Sequence, residues 1–82
     1  MAGPFRLAPE EVQDGIPTWG GGRQTKVIVD AQADGNFEMT AGGSGTEVNV
    51  LRPGRNEFQR SFGGVLLAVK NLTLEDITVR TQ

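Results

Sequence analysis

The sequence predicts an all-β chain: a small antiparallel β-sandwich preceded by an extended N-terminal arm. Three observations carry this expectation. From Gln24 onward apolar and polar residues alternate with a period of two, the mark of half-buried strands. The alternating runs are short and separated by clusters of Gly, Pro, Asn and Asp. No stretch holds a helical period, and 82 residues with 12 Gly allow one domain with a thin core.

Residues 1–23 read as the arm. They hold three of the four prolines (Pro4, Pro9, Pro17), the Gly20-Gly21-Gly22 run, and five large apolar residues without a sustained period, Phe5, Leu7, Val12, Ile16 and Trp19. Pro9-Glu10-Glu11-Val12 offers at most one helical turn, stopped by Gly15 and Pro17. Gly20, Gly21 and Gly22 are expected to be a hinge between arm and body. The five apolar residues are too costly to leave wet, so they are the expected protein-interaction residues, with Phe5 and Trp19 as anchors. Trp19 has two destinations: a pocket on a neighbouring chain, or one open end of its own sandwich.

Residues 24–82 read as the β-sandwich domain. Thr25, Val27, Val29 and Ala31 share one face of a strand over 24–32, while Ile28 breaks the pattern and implies that the opposite face is partly covered. Asp34-Gly35 suits a type I′ turn, which predicts a hairpin to the alternating Phe37, Met39 and Ala41. Gly42-Gly43-Ser44-Gly45 is a further turn, followed by a strand over Glu47-Val48-Asn49-Val50 that ends at Arg52-Pro53-Gly54-Arg55. Phe58 and Phe62 flank a fourth segment, with Arg60 on their parity against a simple buried face. Val65 to Val69 is apolar on both parities, as expected of a central strand covered on both sides. Ile77, Val79 and Thr81 alternate in the last run.

Composition narrows the chemistry. Without Cys or His, thiolate nucleophiles, imidazole bases, zinc fingers and Ser-His-Asp triads are excluded. A formal charge of −2 argues against a chain that neutralises phosphate backbones, so no nucleic acid is expected as partner. The longest apolar run, Val65 to Val69, is too short to span a bilayer, and the N-terminus has no signal-peptide pattern, so no membrane partner is expected. Asp30 to Glu38 begins like a calcium loop, but Gln32 and Ala41 stand where carboxylates are needed. Glu10-Glu11 and Glu75-Asp76 are neighbours pointing to opposite faces, Gly20 to Gly22 precedes a strand rather than a helix, and Asn71-Leu72-Thr73 is a chance-prone glycosylation triplet. No catalytic residue, metal ligand or cofactor is nominated, and the chain is not expected to be an enzyme.

The segment from Arg52-Pro53-Gly54-Arg55-Asn56-Glu57-Phe58 through Gly63-Gly64-Val65-Leu66-Leu67-Ala68-Val69-Lys70-Asn71 to Asp76-Ile77-Thr78-Val79 resembles small virion proteins of tailed phages. In those proteins a Gly-led strand of the LLxVKN type is followed by a short polar turn and an xITV strand. The resemblance implies a jelly-roll-like or immunoglobulin-like sandwich that acts as a non-enzymatic capsid decoration (cement) protein. It also implies other virion subunits as partners, a major capsid or tail protein, in a multi-copy or homo-oligomeric assembly. The implied location is the virion, assembled in the host cytoplasm, with the arm reaching over neighbouring subunits. Two other expectations compete: a tail-associated structural protein, and a carbohydrate- or receptor-binding module, which needs exposed aromatic platforms.

Overall fold

The computed structural model describes residues 2–43 and 45–82. Among these residues there is no helix. Eight strands follow one another: β1 (Ala2–Leu7), β2 (Val12–Ile16), β3 (Thr25–Ala31), β4 (Gly35–Ala41), β5 (Thr46–Leu51), β6 (Gly54–Arg60), β7 (Leu67–Asn71) and β8 (Ile77–Thr81). Sheet I has the order β1-β8-β3-β6 and sheet II the order β2-β7-β4-β5. All pairings are antiparallel, and the ladders β1–β8, β2–β7, β3–β6 and β4–β5 nest one inside the next. The chain is thus a two-stranded ribbon folded between β4 and β5 and wrapped into two layers. β3–β8 and β4–β7 ladders complete each sheet. Of all consecutive strands only β4 and β5 lie in the same sheet, which is the double-sheet jelly-roll arrangement.

Alternation then decides what is buried. Sheet I turns Leu7, Val27, Val29, Ile77 and Val79 inward, and sheet II turns Ile16, Phe37, Met39, Leu51, Leu67 and Val69 to meet them. The rings of Phe37 and Phe58 meet at 5.0 Å between centroids, joining the layers at mid-core. Each such side chain contributes roughly 1.5–3 kcal/mol on leaving water, which is how a chain this short sustains two layers.

Several expectations are corrected. Residues 2–23 are no arm, since β1 and β2 are edge strands of the two sheets and Leu7 and Ile16 are core residues with 2% and 0% exposure. Their aperiodicity has a cause in the ladders: the register shifts between Ala2 and Phe5 in β1 and between Gln13 and Ile16 in β2, and each shift resets the alternation. Gly20 to Gly22 are no hinge. They form the β2–β3 turn, with Gly21 and Gly22 at positive φ and Arg23 N–H donating to the Gly20 carbonyl at 3.1 Å.

Asp34-Gly35 is not the tip of a hairpin, because β3 and β4 lie in different sheets and the link between them crosses the sandwich. Gly35 is needed for another reason: a Cβ there would stand 2.6 Å from Thr73 Cγ2. Among the described residues, the only consecutive strands joined within one sheet are β4 and β5, and the expected turn at Gly42-Gly43-Ser44-Gly45 lies partly outside the described residues. β7 is central in sheet II, yet Val65 and Leu66, placed by the sequence in a strand covered on both sides, precede β7 and are 38% and 60% exposed.

Candidate protein-interaction surface

On strands, side chains that are not in the core point away from it, and the two outer faces of this sandwich differ. Sheet I turns out Arg6, Lys26, Asp30, Arg55, Glu57 and Arg80. Its ion pairs include Arg6–Asp76 at 2.9 Å, Arg55–Glu57 at 2.7 Å and Lys26–Glu57 at 3.6 Å. Ile28 also lies on this outer face, opposite Arg80 and Glu57 in the ladders, and it is fully buried beneath such long side chains. The expectation that this face is partly covered therefore holds.

Sheet II is different. Among the described residues six large hydrophobic side chains are exposed, and four of them, Val12 (52%), Val48 (57%), Val50 (67%) and Leu66 (60%), follow the outward parity of sheet II or its immediate extension. None of the six lies on a strand of sheet I. The ladders align one continuous row across all four strands of sheet II: Val12 opposite Lys70, Lys70 opposite Glu38, Glu38 opposite Val48. Beside it Ala68 stands opposite Thr40 and Thr40 opposite Thr46, whose hydroxyls lie 3.0 Å apart. A shallow hollow of about 130 Å3 opens between these rows, lined by Val12, Glu38, Thr40, Ala68, Val69 and Lys70. Lys70 Nζ reaches Glu10 at 3.4 Å, an exposed pair.

A second concavity, of about 270 Å3, lies at the loop end of the sandwich and is lined by Met39, Ala41, Gly45, Thr46, Glu47 and Phe62. Glu47 is already engaged: it accepts from Arg60 Nη2 at 2.8 Å and from Asn49 Nδ2 at 2.9 Å. The Arg60 guanidinium, then Asn49, hold its carboxyl below the usual 4.5 despite the opposing effect of burial. This pair bridges the open side where the edges of β5 and β6 adjoin, and it explains why Arg60 shares the parity of Phe58. At the same end Trp19 is half-buried and tied by its backbone to its own sandwich. Its N–H donates to Thr25 Oγ1 at 2.9 Å, its carbonyl accepts from Gly64 N–H at 3.0 Å, and its ring carries the Arg23 guanidinium 3.8 Å from the centroid. One face of the ring is thereby taken.

Of the expected interaction residues, only Val12 belongs to the exposed face of sheet II. Phe5 packs against the core, Leu7 and Ile16 are inside it, and Trp19 is half-buried at the loop end. Asn71 of the glycosylation-like triplet is fully buried, its Nδ2 donating to the Leu7 and Glu75 carbonyls at 3.0 and 2.8 Å while Oδ1 accepts from Thr73 N–H and Oγ1–H, each at 2.8 Å. It is a joint between the sheets. The sequence hides Val48 and Val50 because apolar alternation in β5 reads as a core face, and it hides Leu66 because the Val65–Val69 run reads as covered on both sides. The available signal was Leu51, apolar on the opposite parity and buried.

A family model for a family of unknown function, DUF8244, matches residues 5–82. The chain belongs to that family. Two uncharacterized proteins of Dictyostelium discoideum are similar to it at 41% and 40% identity over 83 residues, each alignment covering 99% of both chains. No solved structure matches. The match runs through β2 to β8 and the second half of β1, so the family is defined over nearly the whole sandwich, with both N-terminal strands represented.

Proposed function

We propose that this member of DUF8244 is a non-enzymatic protein-interaction module that docks the outer face of sheet II onto a protein surface and works in a multi-copy assembly. The observation that carries the reading is the asymmetry of the two faces. Four exposed hydrophobic side chains gather on or beside sheet II, whereas sheet I seals even Ile28 under its own charged side chains. Exposed apolar groups gathered on one face are characteristic of docking surfaces. The proposal keeps the assembly role expected from the sequence and moves the contact from residues 1–23 to sheet II. The capsid or tail partner implied by the phage resemblance is not carried over, because the family is of unknown function and the similar proteins are uncharacterized Dictyostelium proteins.

The test is a photo-crosslinking side chain placed at position 48 or at position 55 and activated in the native cells. Crosslinks to protein are expected from position 48 and not from position 55. Equal yields from both, or none from position 48, would overturn the reading.

A further inference from the structure

The row across sheet II reads Val12, Lys70, Glu38, Val48, one residue per strand in the order β2, β7, β4, β5. Its chemistry is the same from either end once lysine and glutamate are exchanged. From this we infer that the partner on sheet II is a second copy of the same chain, packed face to face about a two-fold axis. The axis runs along the strands between β7 and β4. The inference rests on the proposed docking role of this face.

Such an axis lays β7 over β4 of the partner and β2 over its β5. Lys70 then faces the partner's Glu38, and Val12 faces the partner's Val48. Both contacts occur twice, as an isologous interface requires. An axis in the same plane but across the strands would set Lys70 against the partner's Lys70, and that arrangement is rejected by like charge. The hollow lined by Val12, Thr40 and Ala68 opens where the partner's Val48 arrives. Lys70 holds Glu10 only through an exposed contact at 3.4 Å, so turning it to a new carboxylate sacrifices little.

Size agrees. The two longer extents of the body, 34 and 21 Å, bound a face of about 700 Å2, so nearly full overlap of the faces approaches the ~800 Å2 per partner of a standard stable interface. Face-to-face stacking of sheets with strands nearly aligned is an ordinary packing of twisted β-sheets.

The experiment is sedimentation equilibrium of the purified full chain, with circular dichroism as the control for folding. The wild-type chain is expected to sediment with the mass of two chains. Lys70→Glu makes the central pair two carboxylates, and Glu38→Lys makes it two ammonium groups; each variant alone should dimerise at least about tenfold more weakly. Mixed in equal amounts, the two variants should recover a dimer, because every reversed residue then meets its complement on the other chain. Pairing within one chain cannot produce that recovery. Val48→Asp supplies a second variant outside the charge pair and should also be monomeric.

A monomeric wild type, a dimer indifferent to Lys70→Glu and Glu38→Lys, or a mixture that stays monomeric would overturn the inference. A dimer joined through the β5 edges would show such indifference. If the wild type is monomeric while position 48 still crosslinks to another protein in cells, self-association falls and the docking role stands.

Discussion

The outer faces of the two sheets are built from the same pleated alternation and end in opposite states. On sheet I a mid-strand isoleucine is roofed by lysine, arginine and glutamate side chains that pair among themselves. On sheet II the mid-strand valines of β5 are more than half exposed, and the charges beside them, Glu38 and Lys70, stand in line with the valines rather than over them. The lesson concerns length as much as polarity. Long charged side chains can cover an apolar neighbour on the same face, whereas the short Thr40 and Thr46 next to Val48 cannot. One face is covered as folded, and the other leaves its valines open to solvent.

The largest test of this contrast is a pair of truncations. Ile28→Ala should cost about 2–4 kcal/mol, because it empties a fully buried site. Val48→Ala, measured below the concentration at which copies associate, should stay within about 0.5 kcal/mol of wild type. Thermal or denaturant unfolding reads both. Equal losses would erase the contrast, and an Ile28→Ala protein as stable as wild type would show that the roof on sheet I is unimportant.

The contrast also needs the sheets held in fixed relation, which makes Asn71 the next target. Asn71→Ala strips the Leu7 and Glu75 carbonyls of a donor and Thr73 of an acceptor, at an expected cost of about 1–3 kcal/mol. A smaller loss in denaturant unfolding would mean that water substitutes at this joint.

The smallest effect belongs to Glu47 and Arg60, which close the side between the faces. With both side chains 40% exposed, Glu47→Gln should cost no more than about 1 kcal/mol near neutral pH. Because the folded protein holds the Glu47 carboxyl below 4.5, its contribution is complete above the unfolded value and disappears as pH falls through the lower, folded one. The wild-type and Glu47→Gln stability curves should therefore converge in acid, and a gap that persists there would place the effect in packing instead of charge.

Much of the fold was legible because alternation is a local signal. β3, β5 and β8 lie within a residue or two of where the period of two puts them, and the antiparallel sandwich follows from their number and shortness. What failed was pairing, which alternation does not encode. Asp34-Gly35 has the composition of a hairpin turn, yet the chain crosses there to the other sheet and Gly35 is required by its closeness to Thr73. The bulges of β1 and β2 hid two strands behind broken periods. The surface was the least legible part. Val48 and Val50 look like core until Leu51 is known to point inward, and Glu47 and Arg60 look misplaced until each is seen to be the other's partner.

The nesting of the ladders bears on how the chain finds this arrangement. Joining β1 to β8 directly would close nearly the whole chain in one step, with a correspondingly large loss of chain entropy. Because β1–β8 encloses β2–β7, which encloses β3–β6 and then β4–β5, each pairing brings the next two segments close before they meet. Growth outward from the β4–β5 pair therefore replaces one long closure by a succession of short ones. A fold dominated by contacts distant in sequence can be reached through steps that are each local to the ribbon already formed.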